Sequence, residues 1–164
     1  AYTAPSYATS PALFTFAHGA IYSGTLTAPT ATALGSAVTA VAGIRSGSIT
    51  LKHNLKTDRL NCGGAGRKDK PIPGNREISG SLVAEYVDAS FRDAIVNDTS
   101  LTIVKTFTSG TDVLQVIVPD VRIEGDIVKA SNDLALQDIK WVGLDGLSAA
   151  QPIWIVCRTA DTAL

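Results

Sequence analysis

The chain has 164 residues, 45% of them hydrophobic and 18% charged, with a formal net charge of -1 at pH 7. That length and apolar content suit one domain burying well over half of its unfolded surface, and they exclude a disordered chain. The near-neutral balance excludes a bulk basic field for nucleic acid or an anionic membrane, and no apolar run reaches the roughly 18 residues that cross a bilayer.

The opening "AYTAPSYATSPALFTF" has neither a basic start nor a signal-like core, so the chain reads as soluble and without an export signal. Residues 1–42 are rich in Ala, Thr, Ser, Gly and Pro and give weak strand signal, as an arm or edge segment would. From Gly47 the pattern sharpens. In "SITLKHNLK", Ile49, Leu51, His53 and Leu55 alternate with Thr50, Lys52, Asn54 and Lys56, the spacing of a strand with one dry and one wet side. Residues 57–76 follow as a long loop, "TDRLNCGGAGRKDKPIPGNR", whose length without periodicity marks a functional or mobile connection. In the next strand Ile78, Leu82, Ala84 and Tyr86 share one face, and Ser79, Ser81, Val83 and Glu85 share the other.

After Asp88 the period changes. Asp88 suits an N-cap, and Phe91, Ala94 and Ile95 form the apolar stripe of a helix of about ten residues ending near Asn97. Strand signals then crowd together: "LTIVKTF", a turn at Gly110, "VLQVIV" ending at Pro119, "VRIEGDIV", a turn at Ser131 to Asp133, "LALQDIKWVGL" and "PIWIVCRT". These predict a mainly β domain, an antiparallel sandwich or barrel with one short flanking helix.

Chemistry is sparse. The Gly-rich loop lacks GxxxxGK followed by Ser or Thr, so it is not a phosphate cradle. His18 and His53 fit neither metal spacing nor a catalytic triad, and there is no GxSxG. Glu124 and Asp126 share a strand face with Arg122, which reads as internal charge pairing rather than a carboxylate pair for glycoside hydrolysis. Cys157 alternates with Ile153 and Ile155 and reads as a buried apolar thiol, whereas Cys62 reads as exposed; whether they pair is left open. "NDT" at Asn97 reads as a helix end. We expect no catalytic residue, no metal and no cofactor.

The stretches "PIPGNREISGSLVAEYVD", "LQVIVPDVRIEG" and "LALQDIKWVGLDG", with a short helix between the first two, together resemble the tail tube proteins of long-tailed bacteriophages. The resemblance covers roughly Ser48 to Cys157 and rests on the order of these features. It implies a structural virion protein in the phage tail, assembled in the host cytoplasm as hexameric rings. The rings would stack into a tube through which DNA passes during ejection. Strands of adjacent subunits would join into a continuous lumen barrel. The implied partners are further copies of the chain and other tail proteins such as tape measure, tail tip and terminator. The passing DNA is a transient one, and the subunit does not enter a membrane.

DNA must slide past the wall, so small neutral or acidic side chains suit it better than Lys and Arg. On that ground the lumen candidates are Thr50, Asn54, Ser79, Ser81 and Glu85. Lys52 and Lys56 fit only with an acidic neighbour. The basic loop supplies inter-ring candidates at Arg59, Arg67, Lys68, Asp69 and Lys70. Three rivals remain: a terminator or injection-device tube of related fold, a carbohydrate-binding sandwich, and an enzyme. Trp141 and Trp154 sit within apolar strand patterns instead of standing out for sugar stacking, and no nucleophile constellation is present.

Overall fold

The computed structural model describes residues 13–58, 62, 70–87, 89–124, 128–130, 135–145 and 149–159. Among them nine strands form one antiparallel sheet: β1 (Gly19–Thr27), β2 (Ser36–Ala40), β3 (Ile44–Lys52), β4 (Glu77–Glu85), β5 (Leu101–Ser109), β6 (Asp112–Glu124), β7 (Val128–Ala130), β8 (Ala135–Gly143) and β9 (Trp154–Arg158). A helix, α1 (Ser90–Val96), joins β4 to β5, and a 3-10 turn at Phe16–His18 precedes β1. The strand order is β2-β1-β5-β6-β8-β4-β3, with β7 beside β8 and β9 beside β6.

The period of two in β4 governs the core. Cross-strand neighbours share a face, so register carries the apolar set from strand to strand. Ile49, Gly80, Trp141 and Ile123 form one row across β3, β4, β8 and β6; Gly47, Leu82 and Ile139 form the next. Leu82, Ile139 and Trp141 are almost wholly buried. Ile21 of β1 and Ile103 of β5 enter the same core although they lie at the other end of the strand order, so the sheet folds over on itself.

Strand β6 makes the fold possible by serving both halves. Val113, Gln115 and Ile117 are buried, and so is Val118 next to Ile117, so the alternation slips by one residue. The slip coincides with an irregular register between Leu101 and Ile103 on β5, opposite Val121 and Val118. Pro119 has no N–H to contribute and occupies this bulge, where the Thr102 hydroxyl donates to its carbonyl at 2.7 Å. Below the bulge, Gln115 Nε2 donates to the Gly35 carbonyl and to Thr106 Oγ1, both at 3.0 Å, which ties the β1–β2 loop to the sheet. Above it, Val121 and Ile123 turn into the main core. The chain therefore passes through Pro119 as one strand, where the sequence pattern suggested two.

Other expectations are corrected. The first sharp strand ends at Lys52; His53 and Leu55 are exposed, and Asn54 lies outside the ladder at φ 44. Asn54 Nδ2 instead donates to the Asn75 carbonyl at 2.8 Å, and Lys56 and Ile72 exchange both backbone bonds beyond it. The long loop thus leaves through a pinned neck. Tyr86 lies past the end of β4 and is exposed, with its N–H on the Ala135 carbonyl. The helix has seven residues and its N-cap position is Ala89, without a side-chain acceptor; Asp88 lies outside the described residues. Ile155 and Cys157 are exposed because β9 pairs only with β6 and nothing among the described residues covers that face. Within the segment read as an arm or edge, β1 is an interior strand and β2 an edge. The tight turn at Gly110 is present, with Ser109 opposite Asp112 and Gly110 at φ 62. The Ser131 to Asp133 turn lies outside the described residues.

Gly80 is required by packing. A Cβ there would collide with the Trp141 ring and with the Ser48 carbonyl. Gly80→Ala should therefore destabilise the fold by about 1–3 kcal/mol or more, read as a lower urea midpoint with unchanged slope.

Candidate functional site: a neutralised sheet face

The side of β3, β4, β8 and β6 opposite the core carries a largely polar surface. Register sets its rows. Thr50, Ser79, Val142 and Arg122 form one, Ser48, Ser81, Lys140 and Glu124 a second, and Ser46, Val83 and Asp138 a third. Lys52 stands across from Glu77 at one margin, and Glu85 is level with Leu136 at the other. The Ser48 and Ser81 hydroxyls are hydrogen-bonded at 2.9 Å.

Three described cations on this face, Arg45, Lys52 and Arg122, each meet a carboxylate. Arg45 donates through Nε and Nη2 to Glu85 Oε1, at 3.0 and 2.7 Å. Lys52 Nζ lies 3.4 Å from Glu77 Oε1, and Arg122 Nη2 lies 2.8 Å from Asp98. Lys140 and Glu124 are direct cross-strand neighbours. Such exposed pairs contribute on the order of 0–1 kcal/mol each to stability. Their larger effect is on field, because a face of alternating signs presents no basic stripe to a polyanion.

Four of the expected wall residues, Thr50, Ser79, Ser81 and Glu85, lie together on this face. Asn54 does not, since it belongs to the loop neck. Of the loop candidates only Lys70 is described, and it is exposed; Arg59, Arg67, Lys68 and Asp69 lie outside the described residues. On the reverse side Phe91 and Ala94 are buried in the core with Leu82 and Ala84, and Ile95 is half-buried against them. Helix α1 packs chiefly against β6 and adds Phe91 and Ala94 to the core that the apolar side of β4 shares. At the helix surface the Arg92 guanidinium is hydrogen-bonded to Asp93, which raises its pKa further.

Sequence reasoning missed Ser48, Glu77 and Arg45 as members of the face. Ser48 is in phase with Thr50 and was legible. Arg45 was not, because a bulge between Ile44 and Ser46 shifts it out of phase. Among the described residues, no group of three or more His, Cys, Asp or Glu side chains is placed to hold a metal ion, and no helix is long and apolar enough to cross a membrane. Trp141 is buried and Trp154 half-buried.

A family model described as phage tail tube protein matches residues 2–143. No curated protein matches the sequence. The chain belongs to the phage tail tube protein family, and it is a structural component of the virion tail that assembles with other tail proteins. The match begins well before Ser48 and so takes in the early segment.

Glu85→Gln and Glu77→Gln should each change stability by less than about 1 kcal/mol in urea unfolding. The double variant should retain DNA on a heparin-competed binding assay that the unmodified protein fails, because Arg45 and Lys52 are then uncompensated.

Proposed function

We propose that this protein polymerises as hexameric rings stacked into a tube, that the tube conducts phage DNA during ejection, and that it carries out no reaction of its own. The observation that carries this reading is the two-sidedness of β3, β4, β8 and β6: hydroxyls and paired charges on one side, core and helix on the other. A wall for sliding DNA needs that combination, since unpaired Lys and Arg would hold phosphates by counterion release. Thr50, Ser79, Ser81 and Glu85 face the lumen in this reading, joined by Ser48, with Lys52 and Arg45 neutralised by Glu77 and Glu85.

Strand parity supports the ring. The face comprises β3, β4, β8 and the β6–β7 margin, four strands that alternate in direction. With an even number, β3 of one copy runs antiparallel to the β7 margin of the next, so a closed barrel continues the same ladder and leaves no edge exposed. The pinned loop neck, with Asn54 on Asn75 and Lys56 on Ile72, lies at the end of the β3–β4 hairpin, and in this reading the long basic sequence it opens into contacts an adjacent ring.

Replacing Ser79 and Ser81 together with Arg should leave tubes of normal diameter but slow DNA exit severalfold, measured by fluorescence of ejected DNA; an unchanged rate would remove the lumen assignment. Deleting Gly63 to Asp69 should leave a folded subunit that no longer stacks, and tubes of normal length in electron micrographs would contradict the inter-ring role.

A further inference from the structure

The strands β1-β5-β6-β8-β4-β3 curl into a near-closed circuit in which β1 and β3 approach each other, although β2, paired to β1, is the terminal strand of the order. Among the described residues no ladder joins β1 to β3. The Val41 N–H, just past β2, extends the β1–β2 pairing by donating to the Ile21 carbonyl at 2.8 Å, and the Lys105 ammonium of β5 reaches across to donate to the Gly47 carbonyl of β3 at 3.2 Å. Along this seam lies a cleft of about 470 Å³ lined by Phe16, Ile21, Val41, Ile44, Phe107 and Lys105.

Lys105 is half-buried and sits 5.2 Å from the centre of the Phe107 ring. No carboxylate pairs with it among the described residues. One carbonyl and one ring face compensate a partly desolvated cation incompletely, so an occupant of the cleft should bring both an apolar side chain and a negative charge. Phe16, 71% exposed at the cleft, extends the apolar lining outward.

On the opposite side of the circuit from the seam is the junction of β6 and β8. There the chain leaves β8 through Leu144 and Asp145, held by the Leu144 N–H on the Asp120 carbonyl at 2.8 Å. Leu144 is exposed for an apolar residue, at 39%, and Asp145 is exposed and, among the described residues, without an ion-pair partner. The charges and the apolar groups are complementary, and they lie on opposite sides of one molecule. That is the arrangement of a heterologous contact, which propagates from copy to copy and closes as a ring when the rotation allows.

We propose that the β1–β3 seam receives the Leu144–Asp145 segment of a second copy of this chain, with Leu144 among Phe16 and Phe107 and the Asp145 carboxylate on the Lys105 ammonium. The proposal rests on the ring reading and names a side-to-side contact within it. In the bound state the seam is filled and the one uncompensated half-buried cation described in the fold acquires its counter-ion.

The test is a charge exchange on the full chain, with assembly followed by sedimentation and microscopy and folding by thermal melts. Asp145→Lys should melt like the unmodified protein and raise the concentration needed for association by about tenfold or more. Lys105→Glu should be similarly impaired, and the double exchange should restore association. Should Lys105→Glu fold poorly, Lys105→Gln should still reproduce the loss, and Asp145→Lys alone remains decisive. Normal assembly of Asp145→Lys overturns the contact while leaving stacked rings intact, as does rescue of Lys105→Glu by Glu124→Lys in place of Asp145→Lys. If the unmodified chain never forms rings, both the contact and the ring reading fall.

Discussion

The alternation of β4 is the constraint on which everything else depends. Successive side chains of an extended strand must point to opposite sides, so burying Ile78, Leu82 and Ala84 commits Ser79, Ser81 and Glu85 to the other side. Register hands this division to β3, β8 and the upper part of β6 without further instruction. The dry side needs cover, and the folded-over half of the sheet supplies most of it, with α1 supplying the rest through Phe91 and Ala94. A slip of one residue would exchange the two sides completely, placing hydroxyls in the core and Leu82 in water. Gly80 guards against that, because only a residue without a Cβ admits the Trp141 ring at this register.

The charges on the wet side contribute little to holding the fold. Their positions matter because Arg45, Lys52 and Arg122 each have an acid within reach, which flattens the potential over a surface of Ser and Thr interrupted by Val83, Val142 and Leu136. A chain of net charge -1 could present the same total with its cations gathered on one strand, and such a surface would bind nucleic acid. The distribution, not the sum, decides whether such a surface attracts a polyanion.

Much of this was readable in the residues, for a physical reason that also explains the failures. Where a strand is central, covered on one side and flanked by others, hydrophobic period reports burial directly, and β4 is such a strand. Period does not report whether cover exists. Ile155 and Cys157 alternate as well as Leu82 and Ala84 do, yet β9 hangs from one margin of β6 and leaves them in water. Nor does period report where a ladder stops. The alternation from Ile49 to Leu55 continues past Lys52, while the backbone turns at Asn54 so that its amide can clasp Asn75; Gly74 opposite, where a Cβ would strike the Asn54 carbonyl, was the available sign. Pro119 misled in the other direction, because a bulge accommodates the missing donor that a regular ladder could not. The early segment, with few large apolar residues, hid the interior strand β1.

The continuity of β6 through its bulge has a mechanical consequence. One thirteen-residue strand is bonded to β5 and β9 below Pro119 and to β8 above it, so tension along its axis is shared by many bonds in shear and does not peel them singly. The same backbone runs through both halves of the fold. A subunit built this way should stretch and recoil as one piece under axial load, because the strand that would have to yield is held on several sides at once.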